Sequence, residues 1–214
     1  MKTEGRPILL IASAAFLCCS ALAGAGLFRS LDVAVLGLAQ RANSGVVDGI
    51  GLLASVLGGV EFVAVAALIL AAGLVVRGRR RLAARLLAAF VITGIIELVF
   101  KMVVPQVPVP DEVLRGSDPS LFDIGTPYPY PSGHMLRAVL LFGAIYLLWP
   151  NGPLRLAIVV FLVASAASRL YLGTHWPSDM LGGALLGMAG LAWAFEGYQP
   201  SAISRQPGSN GRPP

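Results

Sequence analysis

Apolar residues in this chain run in long, nearly charge-free stretches rather than in the short alternating pattern of a half-buried strand. No charged residue falls between Arg6 and Arg29, and Pro7 to Phe28 reads as one apolar run. Five more follow: Ile50 to Val76 with Glu61 inside it, Leu86 to Val104 with Glu97 and Lys101, His134 to Trp149, Leu154 to Leu172, and Asp179 to Phe195. A helix needs about 20 apolar residues to cross the hydrocarbon core of a bilayer. The pattern predicts an all-α protein, a polytopic membrane bundle of six transmembrane helices. The first run is long for a signal-peptide core, and later runs also require a membrane, so it reads as a retained helix.

The intervening segments carry the polar residues. Arg29 to Asp48 mixes Leu31, Val33, Val35, Leu36 and Leu38 with Asp32, Gln40 and Arg41, which predicts a short amphipathic helix lying on the membrane or folded over the bundle. Pro105, Pro108 and Pro110 stop the third run, because proline lacks the donor and clashes with the preceding turn. The loop from Val107 to Tyr130 holds Asp111, Glu112, Asp118 and Asp123, and a loop of that length is often functional. Pro150-Asn151-Gly152-Pro153 is a tight turn. Residues 1–200 read as a single transmembrane domain, and 201–214, rich in Ser, Gly, Pro and Arg, as a disordered tail.

Composition agrees with that pattern: 56% of the 214 residues are hydrophobic and 13% charged, too few to cover the surface of a soluble domain. The net charge of +5 comes from arginines gathered between apolar runs, as in Arg77, Arg79, Arg80, Arg81 and Arg85. Such clusters mark cytoplasmic loops and an affinity for membrane lipids rather than for nucleic acid. With six crossings, Lys2, Arg6, the Arg77–Arg85 cluster, Arg155, Arg205 and Arg212 share one face. The expected topology puts both termini in the cytoplasm and the 107–130 loop and 172–179 turn outside, in a cell membrane. Cys18 and Cys19 are adjacent inside the first run, so no disulfide framework is expected.

Three polar clusters then lie at the outer ends of helices three to six. They are Lys101; Pro131-Ser132-Gly133-His134; and Ser168-Arg169 with His175 and Asp179. Both histidines of the chain are among them. His175 and Asp179 are spaced i, i+4, so a carboxylate–imidazole bond can fix the tautomer and leave the second ring nitrogen as a nucleophile. Pro177 between them favours a helix that begins near Ser178, with the pair meeting across its first turn. Ser132 and Gly133 precede a helix, where backbone donors suit an anion. Lys101 and Arg169 add cations, and His134 is placed to protonate a leaving oxygen. None of these clusters is a convincing set of metal ligands.

These residues resemble the motifs of the type-2 phosphatidic acid phosphatase family, whose core is related to that of the vanadium haloperoxidases. The family's P-S-G-H motif stands complete at Pro131–His134, and its S-R-x5-H-x3-D motif at Ser168, Arg169, His175 and Asp179. The match covers about residues 50–195. Its first motif, K-x6-R-P, is broken: Lys101 is followed by Pro108-Val109 where Arg-Pro is expected. Arg115 or Arg137 are the candidates to replace that charge. The resemblance implies catalytic His175, His134 and Asp179, a phosphohistidine intermediate, and phosphate held by Lys101, Ser132, Gly133, Ser168 and Arg169, with no metal and no cofactor. It implies a lipid phosphate substrate, such as a polyprenyl (undecaprenyl) pyrophosphate, a polyprenyl-phosphosugar phosphate, phosphatidic acid or phosphatidylglycerol phosphate. The alternative is a catalytically weakened lipid-phosphate binding or transport protein. A vanadate-dependent peroxidase would be a soluble chain, which the composition excludes.

Overall fold

The computed structural model describes residues 5–41, 49, 57–115 and 125–198, and within them the chain is helical. The helices are α1 (Gly5–Gly24), α2 (Arg29–Ala39), α3 (Val60–Val76), α4 (Arg80–Val103), α5 (Gly133–Leu148), α6 (Gly152–Leu172) and α7 (Pro177–Ala194), with a 3-10 turn at Asp111–Val113. Residues 50–56 of the second apolar run, 42–48 of the amphipathic stretch, 116–124 of the long loop and the 201–214 tail lie outside the described residues.

Boundaries follow local chemistry. Gly26, at φ +72°, turns the chain out of α1. α4 begins at Arg80, earlier than the apolar run itself, because Arg, Ala and Leu are all good helix formers and a charged end need not stop a helix. Asn151 caps α6 by accepting from Leu154 N at 3.0 Å, with Pro153 in the first turn. At the other end of α6, Gly173 takes the left-handed conformation that glycine adopts without penalty.

α1, α4 and α6 are long and apolar enough to span a bilayer; α3 and α5 are apolar but shorter. α7 has the length, yet Ser178, Asp179 and its glycines lower its apolar character. It is also the central helix, packing on α1, α2, α4 and α5. The chain is an integral membrane protein.

Between helices in lipid there is little hydrophobic driving force, so close packing decides the contacts. Gly183 and Gly187, four apart on α7, face the backbone of α5. A Cβ at 183 would stand 2.2 Å from Ser132 O, and one at 187 would stand 2.8 Å from Leu136 O. Around this seam sits the core of Phe16, Leu86, Tyr130, Leu136, Leu140 and Leu186. Tyr130 is fully buried, with its hydroxyl 3.0 Å from Ser20 Oγ on α1.

The two ends of the bundle differ. At one, Arg85 donates to the carbonyls of Trp193 and, at 2.6 Å, Glu196, covering the last turn of α7 where a cation is favoured. Arg6 pairs with Glu196 at 2.9 Å at this same end. The other end gathers Lys101, the Pro131–His134 segment, Arg169, His175 and Asp179.

Candidate active site

α7 starts at Pro177, so His175 precedes the helix by two residues and Asp179 sits in its first turn. The expected meeting across that turn is present. His175 Nδ1 lies 3.3 Å from Asp179 Oδ2, and the same oxygen accepts from Trp176 N at 3.0 Å. Asp179 is fully buried and His175 is 8% exposed. With Nδ1 on the carboxylate, the ring's other nitrogen, Nε2, is the one left to face a reactant. Oδ1 of Asp179 is buried without a hydrogen-bond partner among the described residues.

The Pro131–His134 segment is bound to this pair through backbone. Ser132 N donates to Asp179 O at 3.0 Å, at the point where Gly183 lets α7 and the start of α5 touch. Ser132 Oγ accepts from Met135 N at 3.5 Å, capping α5. The leading N–H groups of α5 therefore open toward the same end of the bundle as His175. His134, half-buried, and Ser165 of α6 both pack against Gly58.

α6 supplies the remaining polar groups. Arg169 has no solvent exposure, and a guanidinium so placed is costly unless an anion or carbonyls surround it. Its carbonyl accepts from Thr174 N at 3.1 Å, which fixes the turn leading into His175. Ser168 Oγ donates to Ser165 O at 2.8 Å, so in this arrangement it can meet a phosphate only as an acceptor.

Lys101 and Arg137 share one carboxylate. Lys101 Nζ is 3.7 Å from Glu97 Oε1, and Arg137 Nη1 is 3.1 Å from Glu97 Oε2. Glu97 is 8% exposed. Of the two arginines considered for the missing first-motif charge, Arg137 thus stands beside Gly133. Arg115 lies on the rim, its guanidinium 4.9 Å from the Tyr171 ring centroid and 2.7 Å from Gln40 O.

Some of these relationships left no mark in the motifs. Glu97 and Lys101 are i, i+4 on one helix, which could have paired them in advance. Nothing local links Glu97 to Arg137, forty residues away. Likewise Asp32 of α2, 3% exposed, accepts from Ser178 N at 3.0 Å and Ser178 Oγ at 2.7 Å, holding the start of α7 next to Asp179. Burial pushes the Asp32 carboxyl above its ordinary value, against the lowering effect of the Ser178 bonds.

Comparison with known proteins places these features in a family. The sequence model of the PAP2 superfamily matches residues 82–202. The chain is 43% identical over 75 residues to the Escherichia coli (strain K12) protein named "Putative undecaprenyl-diphosphatase YbjG", covering 33% of this chain and 37% of that one. It is 44% identical over 64 residues to the undecaprenyl-diphosphatase of Sulfolobus acidocaldarius, covering 29% and 30%. The matches thus span about a third of the length of these relatives. The crystal structure of a transmembrane PAP2 type phosphatidylglycerolphosphate phosphatase from Bacillus subtilis superimposes with a TM-score of 0.71, over 87% of this chain and 93% of that one. At 23% identity, that likeness establishes the fold.

Proposed function

The chain belongs to the PAP2 superfamily, and on that premise we propose that it is a membrane phosphatase that hydrolyses a phosphate monoester or diphosphate on a lipid headgroup. The observation that carries this reading is the buried His175–Asp179 pair, tied through Ser132 N to the start of α5.

In the proposed reaction, His175 Nε2 attacks phosphorus while the bond from phosphorus to the leaving oxygen breaks. His134 gives that oxygen its proton. Asp179 keeps the Nδ1 proton in place and balances the charge that the ring gains. A water then attacks the phosphohistidine, His134 takes the water's proton, the P–N bond breaks, and inorganic phosphate leaves. Lys101, Arg169, Gly133 N–H and Ser132 hold the phosphate oxygens, with Ser168 accepting from a protonated one. Positioning and charge stabilisation supply most of the acceleration in phosphoryl transfer. Arg137, seated beside Gly133, takes the place of the arginine absent at position 108; Arg115 is its rival on the rim.

Both curated relatives are named for undecaprenyl diphosphate, which favours a polyprenyl diphosphate among the candidate substrates. Six crossings with cytoplasmic termini would turn the site to the extracytoplasmic side, in line with the basic residues at the opposite end.

The test is phosphate release in detergent from a panel of lipid phosphates, with and without EDTA, comparing wild type and His175→Ala. Release that is insensitive to EDTA and lost in the variant is the expected result. No release from any lipid would point instead to a lipid-phosphate binder or transporter.

A further inference from the structure

Outside the catalytic cluster, a cavity of about 290 Å³ opens between the end of α1, α2 and the segment after α4. Its mouth is formed by Ala25, Gly26 and Arg29, all exposed. Its floor holds Asp32, Gln106 and Trp176, all buried. The Arg29 guanidinium rests 4.5 Å from the Trp176 ring centroid.

The floor presents an acceptor whose direction is set by chemistry. Ser178 gives its hydroxyl proton to Asp32 Oδ2 at 2.7 Å. Its oxygen can then only accept, and it does so from Gln106 Nε2 at 2.8 Å. The amide therefore cannot flip without losing that bond, and Gln106 Oε1 is turned the other way. That oxygen is buried and has no hydrogen-bond partner among the described residues, while Gln106 is only 7% exposed. An unmet buried acceptor is costly, so a donor is expected there. The space is far larger than a single water requires.

We propose that this cavity is a headgroup site for a phosphodiester lipid that carries a hydrogen-bond donor beyond its phosphate. The phosphate lies at the mouth on Arg29. The terminal ammonium or hydroxyl reaches down to Gln106 Oε1, beside the carboxylate of Asp32. The acyl chains leave over the exposed Leu17 and Leu27 of α1 and its turn. Charge order supports this orientation, with a cation at the mouth and an anion at the floor. The site is separate from His175 and does not depend on the proposed hydrolysis. It adjoins that site through Ser178, which Gln106 and Asp32 hold next to Asp179, and through Trp176, whose backbone N–H donates to Asp179 Oδ2.

The experiment is native mass spectrometry of the full chain released from mixed vesicles of dioleoyl phosphatidylethanolamine, phosphatidylglycerol and phosphatidylcholine. The last has a phosphate but no donor. Retention of phosphatidylethanolamine or phosphatidylglycerol over phosphatidylcholine by at least about fivefold is expected, the discrimination one hydrogen bond can supply. Preference for the first of these identifies an ammonium as the donor, and preference for the second a hydroxyl. Gln106→Leu should bring the ratio toward one, Arg29→Gln should lower the retention of all three lipids, and His175→Ala should leave both as in wild type. Equal retention of phosphatidylcholine by the wild type, or selectivity that survives Gln106→Leu, overturns the proposal. The three probe lipids are phosphodiesters, not the monoesters or diphosphates of the proposed reaction, so loss of the enzymatic reading would leave this result untouched.

Discussion

Gly133 lies directly against the carboxylate of Glu97: a Cβ at position 133 would stand 2.0 Å from Oε1 and 2.7 Å from both terminal nitrogens of Arg137. The glycine of the P-S-G-H motif therefore does more than open a helix N-terminus. It leaves the room in which a buried carboxylate holds two cations.

Gly133→Ala should displace Glu97 and break its contact with Arg137. Alanine is the better helix former, by roughly 0.5–1 kcal/mol, but overpacking costs about 1–3 kcal/mol, so the packing term wins. A lower melting temperature and at least tenfold lower kcat/KM are expected, about 1.4 kcal/mol in the barrier. A variant as active and as stable as wild type would mean that the Glu97 side chain moves aside freely.

The Glu97–Arg137 pair should show energetic coupling. The side chains are 11% and 20% exposed, so the pair is only partly screened. A double-mutant cycle with Glu97→Gln and Arg137→Gln, read by thermal unfolding in detergent, should give a coupling of about 1–2 kcal/mol. Strictly additive losses would show that the contact contributes nothing.

Asp179→Asn keeps the shape of the side chain and removes its charge. The imidazole then loses both its fixed tautomer and the stabilisation of its charged form. Turnover should fall by about a hundredfold or more with little change in KM. An equal loss in Trp176→Phe, whose backbone N–H is unaltered, would assign the effect to packing instead.

Asp32 predicts a pH dependence. Burial raises its folded pKa above the ordinary 3.8, so the folded chain binds this proton more tightly than the unfolded chain. The resulting contribution to stability is complete below 3.8 and is lost as pH rises through the raised folded value. The stability of wild type relative to Asp32→Asn should therefore decline with rising pH over that window. Unfolding of the two proteins measured across the acid range checks the sign, and a difference that grows with pH contradicts it.

The long apolar helices and the residues of the polar clusters were legible in the sequence because both are local signals: a hydropathy run needs only its own residues, and a motif only its spacing. The His175–Asp179 contact was legible for the same reason. Glu97 was visible as an unexplained charge, but its tie to Arg137 joins α4 to α5 and has no signature in either. Asp32 was harder still. It lies on a helix whose exposed face carries Leu31, Val33 and Leu38, so its burial against Ser178 reverses the usual sense of an amphipathic pattern. Gly183 and Gly187 carried a readable spacing, since small residues four apart mark a close helix crossing. Their role depends on Ser132 and Leu136 being the groups that cross them.

The central position of α7 bears on how the protein is made. This helix leaves the ribosome after α1 to α6, and its serine, aspartate and glycines suit lipid poorly. Its lodging in the membrane must rely on α1, α4 and α5 already waiting to receive it. The contact between His175 and Asp179 therefore waits on the seating of α7 among these helices, and it forms late in the assembly of the bundle.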